Sequence, residues 1–167
     1  MPRSFGVAVE SPASVAQVHG AFGNADYWLA RFEKFGTRTT LDSLTVDEEG
    51  VATVTTTQDL RYDALPRLVA AFYPGDLKIL STETWTPVDG GRVRGEIAIS
   101  VAGAPGSGHG EGLLRPAGAG SQLTFNGTVV FKVPLVGGKI EGYLGGQLAD
   151  QIPDIQRFTT AWIAEHT

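Results

Sequence analysis

The 167-residue chain contains no cysteine. That excludes disulfides, thiolate metal sites and cysteine nucleophiles, although it does not fix the compartment. No run of about 18 apolar residues occurs, so no stable membrane insertion is expected. The N-terminal stretch MPRSFGVAVESPAS also lacks the apolar core of a signal peptide, and the expected location is cytoplasmic. Positive charge is in short supply: 13 Lys and Arg against 18 Asp and Glu leave a net charge of −5. With no local basic patch to offset it, a nucleic-acid partner or an anionic membrane surface is not expected. The only histidines, His19, His109 and His166, lie far apart and without metal-ligand spacing, so no metal site is expected. There is no G-x-S-x-G elbow, and no G-x-G-x-x-G opens a helix behind a strand. The glycine-rich run from Gly106 to Gly112 has no lysine to meet a phosphate, so a phosphate-binding loop is rejected and no cofactor is expected.

Glycine and alternation are what the chain has in quantity. Twenty-two glycines stand in a composition that is 42% apolar and 19% charged, that of a globular protein. The length fits one domain over 1–167, with room for a real core. Frequent Gly and Ala, and nine Arg against four Lys, accord with a GC-rich bacterial source.

Phe5, Val7 and Val9 alternate with polar or small residues, which predicts a strand. Ser11-Pro12 reads as a helix start, and Val15, Val18 and Phe22 follow at helical spacing. Asn24 reads as the cap of a second helix, with Trp28, Leu29, Phe32 and Phe35 as its apolar stripe and Gly36 as its stop. Period two then takes over for about a hundred residues. Turn signals at Asp47–Gly50, Asp89–Gly91, Gly103–Gly106 and Ala117–Gly120 divide it into strands. Val93, Ile97, Ile99 and Val101 alternate with Arg94, Glu96, Ala98 and Ser100. Leu123, Phe125, Val129 and Phe131 alternate with Gln122, Thr124, Asn126, Thr128 and Lys132. One buried and one wet face per strand is the pattern of an antiparallel sheet. Asp63 to Pro74 interrupts the run as a short apolar helix, a natural place for an entrance flap. From about Val136 to His166 the spacing is that of one long helix. In it Ile140, Leu144, Leu148, Ile152, Ile155 and Trp162 share a sector, opposite Lys139, Tyr143, Gln147, Asp150, Asp154 and Arg157. Pro153 should kink it.

The fold class is therefore α+β: a strand, two short helices, further antiparallel strands to about seven in all, and a long C-terminal helix. This order resembles the helix-grip fold of the START, polyketide-cyclase and birch-pollen-allergen superfamily (SRPBCC). The segments SPASVAQVHGAFGNADYW and VPLVGGKIE are similar to an actinobacterial family of uncharacterised function within it, and the resemblance covers nearly the whole chain. It implies a curved sheet wrapped around the last helix, with a cavity between them for an apolar ligand. It does not imply which ligand, because that scaffold carries lipids, hormones, polyketides and catalysis.

Two glycine series bear on such a cavity. Gly138, Gly142, Gly145 and Ala149 form a stripe beside the apolar sector of the last helix, and either let it approach the sheet closely or leave a void. Gly106, Gly108, Gly110 and Gly112 occupy alternate positions of one strand and leave one face bare, which suits either strong bending or a cavity floor. The expected ligand-binding residues are Trp28, Phe72, Tyr73, Trp85, Gly110, Phe125, Gly142, Gly145 and Leu148. Polar candidates near the cavity are Gln58, Glu83 and His109, with their facing open. His109 and Glu111, two apart on one strand, could pair as acid and base or simply face solvent. The functional expectation is non-catalytic binding of a hydrophobic small molecule, lipid or polyketide-like. The alternative is a cyclase- or aromatase-type enzyme using His109 or Glu83, and catalytic residues are not assigned.

Overall fold

The structure is a computed structural model that describes residues 3–35, 38–59, 78–103, 105–132 and 137–166. Seven strands form a single antiparallel sheet: β1 (Arg3–Ser11), β2 (Thr39–Val46), β3 (Ala52–Asp59), β4 (Lys78–Val88), β5 (Arg92–Ala102), β6 (Gly106–Ala117) and β7 (Gly120–Phe131). Their order is β1-β7-β6-β5-β4-β3-β2, so each strand from β2 onward pairs with the next in sequence and β1 closes against β7. Short turns join β2 to β3 and β4 to β5, and the predicted turn glycines carry them: Gly50 and Gly90 take φ of 82° and 79°, which a side chain would disfavour. Two helices, α1 (Val15–Phe22) and α2 (Ala25–Phe35), follow β1, and α3 (Gly137–Glu165) ends the chain. The short helix expected over Asp63 to Pro74 lies outside the described residues.

The starts of α1 and α2 are set by local polar chemistry. The cap of α1 is Ser14, three residues later than expected: its hydroxyl accepts the Gln17 N–H while the Gln17 side chain accepts the Ser14 N–H. Ser11 instead ends β1, its hydroxyl paired with that of Thr160 at 2.6 Å. Asn24 caps α2 as expected, accepting the Asp26 N–H at 2.9 Å. The stripe of α2 is shifted, because Leu29 is 54% exposed and Tyr27 is wholly buried in its stead.

One face of the sheet points to the helices. Across it run rows fixed by the register: Ala52, Trp85, Gly95, Gly112, Phe125, Val7; and next to it Val54, Glu83, Ile97, Gly110, Gly127, Phe5. The alternation predicted for β5 and β7 holds, with Ile97, Val129 and Phe131 buried, Ile99 and Phe125 half-buried, and Arg94 and Lys132 exposed.

The core gathers at one end of this face. Phe22 lies tilted against Trp85 with centroids 4.7 Å apart, and Tyr27 meets both Trp28 and Trp162 edge-on at 5.4 Å. Trp28 donates its indole N–H to the Phe22 carbonyl at 2.8 Å, so the largest buried ring leaves no polar atom unpaired. The C-terminal half of α3 closes this end. Its N-terminal half lies at the other, where Glu141 accepts the Phe131 N–H at 2.9 Å.

The buried face of α3 overlaps the sector the spacing predicted and extends beyond it. Trp162 is buried and Leu148, Ile152 and Ile155 are half-buried, while Lys139, Asp150, Asp154 and Arg157 opposite are exposed. Gly137, Glu141, Gly145, Gln156, Thr159 and Ile163 are buried as well, so polar residues and one glycine of the stripe share this face, whereas Gly138 is exposed. Small residues at its N-terminal half bring backbone close to strand: a Cβ on Gly137 would lie 2.3 Å from the Phe131 carbonyl oxygen. The helix runs unbroken through Pro153.

Candidate functional site

The glycines of the sheet are roofed by rings, so the bare strand face expected on β6 is not an empty floor. A Cβ on Gly110 would come within 2.3 Å of the Phe125 ring, on Gly95 within 2.4 Å of Trp85, and on Gly106 within 2.5 Å of Phe131. Gly127 would meet the Phe5 ring at 2.6 Å. Phe5 and Phe125 are themselves stacked, with centroids 5.9 Å apart. Each glycine is the space into which a neighbouring strand's ring lies flat, which covers exposed backbone and lets the sheet curve. Close packing is the correct reading of this glycine series.

Space appears one layer above. Phe5, Val7, Phe125, Ile79 and Ile99 all point to the helix side and yet are only half-buried. Half-buried apolar residues on the inner face of a helix-covered sheet mean that the helices do not enclose them as Trp85, against Phe22 of α1, and Leu114 are enclosed. Facing them on α3, Gly142 and Leu148 are half-buried and Gly145 is buried.

The inner face is also chemically divided. Strands β1, β5, β6 and β7 offer it apolar side chains and glycine. Strands β3 and β4 offer Thr56, Gln58, Ser81 and Glu83, all half-buried, with Thr56 opposite Ser81 and Glu83 flanked by Val54 and Ile97. Glu83 accepts the Trp85 indole N–H at 3.2 Å.

From α2, Arg31 reaches toward the same place. Its guanidinium lies 4.6 Å above the Trp28 ring and donates to the Tyr27 hydroxyl at 3.5 Å. Arg31 keeps some surface, but its charged end is enclosed. Burial works against the charge, but Tyr27 and the Glu83 carboxylate outweigh it, so the pKa is raised above the usual arginine value and Arg31 is a fixed cation. Among the described residues no carboxylate lies within ion-pair distance of it. The Tyr27 hydroxyl pairs in turn with Thr159 of α3 at 2.6 Å. One turn before Thr159, Gln156 is 2% exposed, and its side-chain N–H₂ group has no partner among the described residues.

Of the expected ligand-binding residues, Trp28 and Trp85 belong to the packed aromatic end, and Gly110 lies under the Phe125 ring. Phe125, Gly142, Gly145 and Leu148 border the less tightly closed region, and Phe72 and Tyr73 lie outside the described residues. Gln58 and Glu83 face inward. His109 does not: it sits on the solvent side of β6, opposite Ala98 and Thr128, and is exposed. Glu111 on that side faces Arg94 at 3.6 Å, and no hydrogen bond joins it to His109, so the acid–base pair is set aside. An open depression of about 510 Å³ on this outer surface, lined by Ser4, His109, Glu111, Asn126 and Thr128, is separated from the inner face by the sheet itself. Sequence reading missed Arg31 and Gln156, polar residues whose type gives no sign of burial beside the apolar stripes of their helices. Among the described residues no group of acidic or histidine side chains could hold a metal, and no helix is long and apolar enough to cross a membrane.

A seven-stranded antiparallel meander with a long C-terminal helix, and two short helices behind the first strand, is the helix-grip fold. The chain belongs to the family described as a protein of unknown function, DUF2505, whose model matches residues 7–163. An uncharacterised protein of Mycobacterium tuberculosis H37Rv is 38% identical over 173 residues, spanning 99% of both chains. Two solved structures share the fold at low identity. The di-domain aromatase/cyclase StfQ of the steffimycin biosynthetic pathway matches with a TM-score of 0.60 at 15% identity, over 99% of this chain and 52% of that one. Norcoclaurine synthase from Thalictrum flavum, in complex with dopamine and hydroxybenzaldehyde, matches with a TM-score of 0.52 at 14% identity, over 100% of this chain and 89% of that one.

Proposed function

We propose that this protein binds a hydrophobic small molecule, without transforming it, between the inner face of the sheet and the N-terminal half of α3. The observation that carries this reading is the half-burial of Phe125 and Ile99, apolar residues in the middle of a sheet face that a helix covers. Pockets of this kind are mostly apolar with a few convergent polar groups. Phe125, Gly142, Gly145 and Leu148 would form the apolar contacts, Trp28 and Trp85 the rigid wall at one end, and Gly110 the floor beneath the Phe125 ring. Norcoclaurine synthase, holding two aromatic compounds on the same fold, supports small-molecule binding by analogy only.

Glu83 favours a second reading. An inward carboxylate beside a fixed cation is the raw material of general acid–base catalysis, and StfQ is an aromatase/cyclase on the same fold. With His109 on the outer surface, a cyclase-type enzyme here would have to work through Glu83, with Arg31 steadying developing negative charge.

Native mass spectrometry of the protein purified from its native host separates the two. A co-purifying apolar mass that returns unchanged after incubation supports a binder. A mass that is converted during incubation, and is not converted by Glu83→Gln, supports the enzyme.

A further inference from the structure

We propose that the cavity selects neutral ligands that carry hydroxyl or carbonyl oxygens along one edge, and rejects carboxylates such as fatty acids; this rests on the binding reading above. The first ground is the division of the inner face. A ligand lying across it would meet rings, aliphatic side chains and glycine on the β5–β7 side. On the β3–β4 side it would meet Thr56, Ser81 and Glu83. Hydroxyls both donate and accept, so this edge matches oxygen-bearing groups of either kind and not a bare hydrocarbon.

The second ground is charge. The inner face has one described cation, Arg31, and Glu83 already offsets it. A carboxylate ligand entering this set would add negative charge where the balance is already neutral, in a region of poor screening. A neutral oxygen accepts from Arg31 without that cost. Arg31 can serve it, because a guanidinium carries five N–H donors and the only hydrogen bond among the described residues uses one of them, at 3.5 Å.

The test uses the full chain, with Nile red as a neutral fluorescent probe and displacement by straight-chain alcohols and carboxylates of matched length. Any apolar cavity disfavours a carboxylate, so the diagnostic quantity is how the alcohol-to-carboxylate affinity ratio responds to charge. Glu83→Gln keeps an acceptor for the Trp85 N–H and leaves Arg31 unopposed. It should raise carboxylate affinity relative to alcohol about tenfold or more, the scale of one unit charge at several ångströms in a partly buried site. Arg31→Gln should move the ratio the other way. A ratio that stays fixed in both variants, while Nile red still binds, overturns the charge assignment and leaves the cavity standing. Absence of Nile red uptake by the wild type overturns both. Melting curves of each variant confirm that the compared proteins are folded.

Discussion

At the scale of single residues, glycine decides the shape of the inner sheet face, and it does so through the ring next door. The spacing of Gly106, Gly108, Gly110 and Gly112 was plain in the sequence, as was the fact that one strand face carries no side chain. What covered that face was not, because the covering rings come from other strands: Trp85 on β4, and Phe125 and Phe131 on β7. A one-dimensional pattern shows absence of side chain but not who fills it. Gly110→Ala is therefore expected to destabilise the protein by about 1–3 kcal/mol, the usual cost of overpacking, since the new methyl would sit 2.3 Å from Phe125 Cζ. Gly108→Ala meets only ordinary contacts, at 3.5 Å from the Thr128 carbonyl oxygen and 3.6 Å from Ile99. It should change stability little, or raise it slightly by removing backbone freedom. Urea denaturation of the two variants side by side checks this; equal midpoints would mean that the ring gives way without cost.

At the scale of the element, α3 shows both how far periodicity reaches and where it stops. Its extent was legible to within a residue or two, because glycine, apolar spacing and the drop in turn residues all mark it. Its buried face was legible only in part. Glu141, Gln156 and Thr159 are polar, yet they are 1%, 2% and 0% exposed. Each has a specific local cause: the Phe131 N–H for Glu141, the Tyr27 hydroxyl for Thr159, and for Gln156 a donor left over. Polar residues on a buried stripe narrow the apparent hydrophobic sector, and sequence alone carries no sign of the partners that make them tolerable. The same face divides the helix glycines by function. Gly137 lies against the Phe131 carbonyl, whereas Gly146 is exposed with nothing within 4 Å of a Cβ. Gly146→Ala should thus gain helix propensity of up to about 1 kcal/mol. Gly137→Ala should lose stability, because backbone cannot move aside as a side-chain tip can. Thermal melts in opposite directions are the expected outcome, and a gain from both would show that the helix start is not held against β7.

At the scale of the whole molecule, the two ends of the inner face differ in kind. One is closed by Phe22, Tyr27, Trp28, Trp85 and Trp162 in mutual contact; the other has glycine on the helix, half-buried apolar residues on the sheet, and polar groups along one side. Fold and topology could be anticipated from the alternation and the element order, but this asymmetry could not, since it depends on where α3 lies and on which of Gln58, Glu83 and His109 face inward. It has a thermodynamic consequence. A ligand bound only by the native state at a hundred times its Kd stabilises by about 2.7 kcal/mol, which for a domain of this size raises Tm by about 5–10 °C. Two leucine substitutions probe where that ligand lies. Gly145 borders the same region but is buried, so the larger side chain of Gly145→Leu should be overpacked and lower Tm with or without ligand. Gly142 is half-buried, so Gly142→Leu should keep or raise the Tm of the empty protein, through helix propensity and added apolar burial. The leucine would then occupy the volume a ligand needs, and the ligand-dependent rise in Tm should disappear. A Gly142→Leu protein that melts as the parent does and still shows the full ligand-dependent rise would place the bound molecule elsewhere than between α3 and the sheet.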